Sequence, residues 1–128
     1  MSSEQNKAIV RRFMTEVLEG GDLAAFDEVL APDYVNPAMG GADLAAFKAI
    51  LTTMRAGGVS MHFDIRELLA DGDGVVARFT IEVTRASGEK LAATGLTYYR
   101  LADGRIVEDD PFSRPDLAQL LGMAPSAG

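Results

Sequence analysis

The hydrophobic period changes halfway along the chain, and few folds accommodate both halves. Up to about residue 55, apolar residues recur three and four positions apart, which is the spacing of amphipathic helices. From residue 59 onward they alternate with polar residues, as in strands that have one buried face. Helices followed by strands are typical of an α+β domain, in which the helices cover one face of an antiparallel sheet. The 128 residues are expected to form one such domain, spanning residues 1–128.

Three helices are predicted in the first half. The first ends at Gly20-Gly21, because glycine is the residue that most often follows a helix C-terminus. The second begins at Asp22, whose carboxylate can cap the free backbone N–H groups of a helix, and it reaches Leu30. The third covers about Asp43–Arg55 and begins with the same residues as the second, Asp-Leu-Ala-Ala-Phe. An aspartate cap is therefore predicted for both helices.

The second half is predicted to form an antiparallel meander, because its strand-like segments are separated by short turns that contain glycine. A strongly curved meander with helices on one face forms a cone around an interior pocket. An extended piece, Tyr34–Pro37, precedes the third helix. After the meander we predict a last helix over Asp116–Leu121 and a frayed tail from about residue 123. The four predicted strands cover residues 59–70, 75–86, 90–101 and 105–109.

The charge balance excludes several classes of partner and site. With 19 acidic and 12 basic side chains the net charge is −7, so we expect neither nucleic acid nor an anionic membrane surface as a partner.

The chain has no cysteine and a single histidine, His62, which excludes thiolate catalysis and the common zinc sites. No metal and no cofactor are expected. The polar N-terminus lacks a signal-like apolar core, so a cytoplasmic protein is predicted.

A row of polar residues on the segment 75–86 has two interpretations. Arg78, Thr80 and Glu82 share one face of this strand, and apolar residues occupy the other face. The row is either a solvated outer face or one wall of the cavity. In the second case Arg78 and Glu82 would orient a substrate oxygen or a water molecule.

Carboxylates cluster at the end of the last predicted strand. Glu108 and Asp110 share a face with Ile106, whereas Asp109 lies on the opposite face. A carboxyl group inside an apolar cavity has a raised pKa and can act as a general acid or base near neutral pH. On a solvated strand end it would have no such role. Because Pro111 follows at once, Asp110 is predicted to end the strand at the mouth of the pocket, where it is the first candidate for proton transfer.

Two tyrosine motifs complete the candidate substrate site. Tyr34 and Asn36 lie on the same side of an extended segment, where they either hydrogen-bond a substrate oxygen or hold the turn before Pro37. Tyr98 and Tyr99 point to opposite faces of their strand, so one packs and the other can present its hydroxyl group. We include Tyr99 among the candidate substrate-binding residues.

Five segments of the sequence are similar to those of one known family. They are Phe26–Pro37, Arg78–Thr80, Gly88–Glu89, Arg100–Glu108 and Leu117–Gly122. Together they resemble the SnoaL-like polyketide cyclases of the nuclear transport factor 2-like superfamily, over nearly the whole chain. The resemblance implies a cone-shaped, often dimeric α+β fold with an apolar cavity between helices and sheet. It also implies acid–base chemistry without a metal or cofactor, as in the cyclases, steroid isomerases, epoxide hydrolases and dehydratases of the superfamily.

The resemblance also implies roles for single residues. In cyclases and hydrolases an aspartate near the end of the last strand transfers the proton, and Asp110 is the nearest match. The segment is one residue short of the family pattern and lacks its usual tryptophan, so Asp109 stays as the alternative. The epoxide hydrolases add a Tyr-x-Asn pair, matched by Tyr34-x-Asn36, and an Arg-x-Asp pair, which falls on Thr80-x-Glu82 and is not matched.

The expected function is therefore proton transfer on a small, largely apolar, carbonyl-bearing molecule, with cyclisation or isomerisation as the chemistry. Asp110 would shuttle the proton, while Tyr34 and Asn36 orient the substrate oxygen. Asn36 stands near a position where relatives often carry a histidine or aspartate, so the alternative is a non-catalytic ligand-binding or dimerisation module of the same fold. Helices can cover only one face of the sheet, and the apolar residues left on the other face predict a homodimer.

Overall fold

The structure, a computed structural model, describes residues 2–115 of the chain. The predicted helix Asp116–Leu121 and the predicted tail lie outside the described residues. Within them, all three helices precede the four long strands, and two shorter strands lie between the second and third helices. The helices pack on one face of a single curved sheet, so the predicted α+β cone is confirmed. None of the helices in the described part is long and apolar enough to cross a membrane.

The three predicted helices are present, and both predicted aspartate caps are confirmed. The Asp22 carboxylate accepts hydrogen bonds from the backbone N–H groups of Ala24 and Ala25. The Asp43 carboxylate accepts one from the backbone of Ala46. The helices are α1 (Ser3–Arg12, continued by a π-helical segment over Phe13–Glu19), α2 (Leu23–Val29) and α3 (Leu44–Ala56), with a short 3₁₀ turn at Pro37–Met39.

Six strands form one sheet in the order β2-β1-β6-β5-β4-β3. All neighbouring pairs are antiparallel except β1 and β6, which run parallel. These two strands are far apart in sequence, so no hairpin turn sets their relative direction. The strands are β1 (Leu30–Asn36), β2 (Ala42–Asp43), β3 (Ser60–Asp71), β4 (Gly74–Thr84), β5 (Lys90–Ala102) and β6 (Arg105–Arg114).

The inner face of the sheet and the helices enclose the core. Along β4 the side chains of Val75, Phe79 and Ile81 are buried against the helices, whereas Arg78 and Glu82 are exposed on the other side. The aromatic rings of α1, α2 and α3 fill the space above the sheet. Phe47 of α3 lies at their centre, with ring centroids 5.2 Å from Tyr34, 6.0 Å from Phe26 and 6.3 Å from Phe13.

A β-bulge in β6 changes which of its side chains face the core. Arg100 pairs with Glu108 but Leu101 pairs with Ile106, so Val107 is an extra residue in β6. Both apolar residues, Ile106 and Val107, are buried. The alternation of side chains beyond the bulge is therefore shifted by one residue relative to uninterrupted pairing.

β6 is also longer than predicted, and Pro111 does not end it. The strand continues to Arg114, and Pro111 pairs with Thr97 of β5. On its other side, β1 pairs with β6 no further than Glu108, so β6 becomes an edge strand at this end of the sheet. An edge strand tolerates proline because the missing backbone N–H has no partner strand there.

Candidate active site

Three polar side chains from two strands meet on the inner face of the sheet. Val35 of β1 pairs with Glu108 of β6, which places its neighbours Tyr34 and Asn36 on the same face as Asp109. The Tyr34 hydroxyl donates a hydrogen bond of 3.0 Å to Asp109 Oδ2. Asn36 Nδ2 in turn donates one of 3.2 Å to the Tyr34 hydroxyl oxygen. All three residues are buried, with 4% or less of their surface exposed.

Asn36 and Asp109 line a small cavity between the helices and the sheet. Its volume is about 30 Å³, which is enough for about two water molecules. Thr97 and Tyr99 of β5 supply two further polar groups to its wall. The apolar part of the wall consists of Leu18, Met39, Phe47, Leu51, Met54, Met61, Phe63, Phe79 and Pro111.

The surroundings of Asp109 favour its protonated form. Burial raises the pKa of this carboxyl group, the hydrogen bond from Tyr34 lowers it, and the charge of Asp110 raises it again, so that the pKa is about 7. A group with this pKa is present in both its acid and its base form at neutral pH. It meets the requirement for a general acid–base group, which works best when its pKa lies near the working pH.

The two buried tyrosines keep their protons. Burial, followed by the charge of Asp109, raises the pKa of Tyr34 above its usual value. The same two causes, in the same order, raise the pKa of Tyr99. Tyr99 is the direct cross-strand partner of Asp109, and it lines the cavity. Both hydroxyl groups are therefore hydrogen-bond donors at neutral pH. The Tyr34 hydroxyl group donates its hydrogen bond to Asp109.

One atom of the site is buried without a partner. Among the described residues, nothing donates a hydrogen bond to the side-chain oxygen of Asn36. A buried acceptor without a donor costs about 1–3 kcal/mol. Groups of this kind in native structures call for an explanation, such as a catalytic role or a bound water molecule or ion.

The structure reverses the predicted places of the two neighbouring aspartates. The prediction that Asp110 faces the cavity is wrong, because the bulge at Val107 shifts the alternation of β6 by one residue. Asp109 faces inward and is buried, whereas Asp110 is partly exposed and pairs across the strand with Tyr98, an exposed residue. The alternative candidate, Asp109, is thus the carboxylate that meets Tyr34.

The polar row of β4 also lies outside the cavity. Arg78 and Glu82 are exposed and Thr80 is half-buried, all on the face of the sheet that the helices do not cover. Arg78 lies 3.8 Å from Glu67, and Glu82 lies 3.5 Å from Lys90. The interpretation of this row as a cavity wall is wrong, and the solvated outer face is correct.

Of the other predicted substrate-binding residues, Tyr34, Asn36 and Tyr99 do come together at the cavity. Sequence reasoning missed Thr97, which is buried and lines the cavity. It lies two positions before Tyr99 on the same face of β5, so the alternation that selected Tyr99 would also have selected Thr97. Within residues 2–115, no three histidine, aspartate or glutamate side chains converge as potential metal ligands.

This chain is similar to many solved structures, including those of the following three proteins. A proposed polyketide cyclase from Acidithiobacillus ferrooxidans is 28% identical with a TM-score of 0.73, covering 97% of this chain and 100% of that one. An LEH-like epoxide hydrolase from M. tuberculosis is 20% identical with a TM-score of 0.78, covering 93% and 90%. IdmH from Streptomyces antibioticus, also a proposed polyketide cyclase, is 24% identical with a TM-score of 0.73, covering 93% and 99%. At these identities the last two show a shared fold.

No curated protein matches the sequence. The SnoaL-like domain, in contrast, matches residues 10–109, which include α2, α3, all of the cavity wall except Pro111, and the three residues of the hydrogen-bonded group. The match covers most of the chain, and the similar structures have the same cone of helices on a curved sheet. The chain therefore belongs to the SnoaL-like domain family and has the nuclear transport factor 2-like fold.

Proposed function

We propose that this protein is a cofactor-independent acid–base enzyme that moves a proton at a carbon atom next to a carbonyl group. The proposed substrate is a small, largely apolar molecule, and the reaction is a cyclisation or an isomerisation. One observation carries the proposal: Asp109, with a pKa of about 7, is buried beside an apolar cavity and is held by Tyr34. Desolvated carboxylates of this kind are effective general bases.

In the proposed reaction the ionised Asp109 takes a proton from the carbon next to the carbonyl. The electron pair of the broken C–H bond moves to the carbonyl oxygen and forms an enolate, which accepts a hydrogen bond from the Tyr99 hydroxyl. In an isomerisation the substrate carries a C=C bond beside that carbon, so the anion is a dienolate. Asp109 returns the proton to the far carbon of the former C=C bond, the double bond moves next to the carbonyl group, and the carbonyl re-forms. In an aldol-type cyclisation the enolate carbon attacks a second carbonyl of the substrate, and the resulting alkoxide takes the proton from Asp109.

Tyr34 acts in this proposal as a positioning residue. Its hydroxyl group holds Asp109 Oδ2 at 3.0 Å, which leaves Oδ1 as the oxygen that exchanges a proton with a bound molecule. The hydrogen bond also stabilises the ionised form and so limits the rise in the pKa of Asp109. Without it, less of the base form would be present at neutral pH.

The cavity must widen to admit a substrate, because a volume of about 30 Å³ is smaller than a ligand of several carbon atoms. Three methionines in its wall, Met39, Met54 and Met61, support this step. Methionine is unbranched and has flexible torsions, so it adapts to irregular shapes more easily than branched side chains. The proposed substrate enters as these side chains change conformation.

Hydrogen–deuterium exchange tests the proposal without knowledge of the natural substrate. Small linear and cyclic ketones are incubated in D₂O with the protein, and loss of the proton signal next to the carbonyl is followed by NMR. We expect the parent protein to accelerate exchange, and Asp109→Asn to lose about 10²–10⁴-fold of the rate. Asp110→Asn is the matched control and should retain it.

Two results would contradict the assignment. Equal exchange rates for the parent and Asp109→Asn would remove Asp109 from the reaction. If no ketone exchanges faster than in buffer although the protein binds it, the alternative of a non-catalytic small-ligand-binding module is favoured. Asn36, which cannot titrate, fits that alternative as well.

We also propose that the protein forms a homodimer through the outer face of the sheet. This face carries exposed apolar side chains, with Leu96 at 46%, Phe112 at 63% and Tyr98 at 36% exposure. Leu96 and Phe112 are cross-strand partners, so they form a contiguous patch. Light scattering at micromolar concentration should give twice the chain mass, and Phe112→Asp should return it to that of one chain. A single-chain mass for the parent would contradict the proposal.

A further inference from the structure

The orientation of the Asn36 amide follows from the number of protons available in the hydrogen-bonded group. Tyr34 has one hydroxyl proton, and it donates this proton to Asp109 Oδ2. While Asp109 is ionised, the Tyr34 oxygen can only accept, so Asn36 turns its Nδ2 toward it, at 3.2 Å. The amide oxygen of Asn36 is consequently the atom that makes no hydrogen bond to Tyr34. Asn36 lines the cavity, and nothing among the described residues donates a hydrogen bond to this oxygen.

The rest of the cavity wall leaves few other groups for a polar ligand. Phenylalanine, leucine and methionine side chains make up most of it, and Thr97 and Tyr99 are its other polar members. Tyr99 supplies a donor, which suits a carbonyl oxygen of the ligand. Asn36 supplies an acceptor, which suits a hydroxyl group and not a carbonyl oxygen. An apolar ligand with a carbonyl group alone would leave the Asn36 oxygen buried and unpaired, at an energetic cost.

We propose that Asn36 is a specificity-determining residue. Its side-chain oxygen selects substrates that carry a hydroxyl group on a carbon atom beside the carbonyl group. The substrate class is therefore hydroxy ketones and the enols of dicarbonyl compounds. This inference rests on the proposed function, since it concerns the same cavity. It goes beyond it by naming a group that the substrate must carry.

Two ketones of the same shape test this directly by binding. 1-Hydroxy-2-butanone and 3-pentanone differ only in a hydroxyl group that replaces a methyl group. Their dissociation constants are measured by NMR titration of the isotope-labelled protein, and the ratio of the two constants is the readout. We expect Asn36→Leu, which has a similar size but no polar atom, to shift this ratio about tenfold toward 3-pentanone.

Thr80→Val is the matched control, because it removes a hydroxyl group from the outer face of the same sheet, away from the cavity. It should leave the ratio within about twofold of the parent, since a residue outside the cavity contacts neither ketone. Tyr34→Phe separates the two roles of Asn36. It removes the partner of Nδ2 but leaves the oxygen in place, so most of the preference should persist.

The wild-type protein provides a measurement that does not depend on the folding of a variant. The side-chain carbonyl carbon of Asn36 should shift on addition of the hydroxy ketone and not on addition of 3-pentanone. Asn36→Ala is a second variant should Asn36→Leu not fold.

Three results would overturn the proposal. They are a ratio unchanged by Asn36→Leu, a ratio shifted equally by Thr80→Val, and a parent protein that does not bind the hydroxy ketone at millimolar concentration. Because the ratio needs no turnover, it can hold even if Asp109→Asn proves to have no effect on proton exchange. The failure of the proposed function and the failure of this inference are therefore distinguishable.

Discussion

Two groups of polar residues lie on opposite faces of the same sheet. On the inner face Tyr34, Asn36 and Asp109 form one hydrogen-bonded group with almost no exposed surface. On the outer face Arg78 and Glu82 are exposed, each near an oppositely charged neighbour. Both faces therefore carry carboxylates and hydrogen-bond donors, but burial on the inner face raises the pKa of Asp109 to about 7.

The difference teaches that residue type alone does not indicate a site here. A carboxylate in water keeps its charge cheaply, whereas one surrounded by hydrocarbon loses solvation and binds a proton more tightly. The outer row has the more conspicuous sequence pattern, with alternating polar residues over a whole strand. The inner group consists of residues from two distant segments, and only the fold brings them together. The following predictions test this contrast in order of decreasing effect.

The largest expected effect concerns aromatic residues on the two sides of the sheet. Phe47→Ala should lower the free energy of unfolding by about 3–5 kcal/mol, because Phe47 is buried and contacts three other rings. Phe112→Ala should change it by less than about 0.5 kcal/mol, since this ring is exposed. Urea denaturation at concentrations that keep the chain monomeric measures both. Equal losses would mean that the outer face is buried in the folded monomer.

The next effect is the pH dependence that Asp109 gives to stability. Its pKa rises from 3.8 to about 7 on folding, so the folded state holds the proton more tightly than the unfolded state. Stability is thus highest, as far as this group is concerned, below about pH 4, where both states are protonated. It falls as the pH rises toward 7, by up to about 4 kcal/mol for a shift of roughly three units.

Asp109→Asn should remove this dependence. Relative to the parent, the variant should gain about 2–4 kcal/mol of unfolding free energy between pH 4 and pH 8. Asp110→Asn, whose side chain is partly exposed, should follow the parent curve closely. The measurement is urea denaturation at several pH values. If the difference in unfolding free energy between the parent and Asp109→Asn did not change with pH, Asp109 would be solvated in the folded state.

A smaller effect is expected for Tyr34→Phe. The change leaves Asp109 Oδ2 and Asn36 Nδ2 without their shared partner, which should cost about 1–3 kcal/mol of stability. It should also raise the pKa of Asp109, because the hydrogen bond that lowers it is lost. The titration of the Asp109 carboxyl carbon, followed by NMR, would then move to higher pH. Movement to lower pH would contradict the role given to Tyr34.

The smallest effect is expected on the outer face. Arg78→Ala removes a pair with Glu67 whose atoms are 3.8 Å apart and whose side chains are more than half exposed. Such pairs contribute about 0–1 kcal/mol, because water and salt screen the charges. Denaturation at low and high salt should give nearly the same small difference. A loss above about 2 kcal/mol, or any loss of proton exchange, would restore this row as a candidate site.

Much of the fold is readable from short stretches of sequence. Asp22 and Asp43 each cap a helix through hydrogen bonds to residues two or three positions away, so the motif itself contains both partners. The strand alternation of β4 is likewise local, and the buried and exposed residues follow it from Val75 to Val83. The position of Tyr34 next to Asn36 is also a local result, because the two residues share a face of β1.

The identity of the inward carboxylate depends on partners far away in sequence. With uninterrupted pairing Asp110 would face inward, and the order Ile106, Glu108, Asp110 is compatible with that alternation. Instead the sheet buries both Ile106 and Val107 through a bulge against β5, and Asp109 takes the inward position. A bulge depends on what the neighbouring strand and the helices cover, which no window of β6 contains. The sequence alone thus determined that the last strand ends in adjacent carboxylates, and it left open whether they border the cavity. Tertiary packing decided that the strand lies beside the cavity and that Asp109 is the aspartate removed from water.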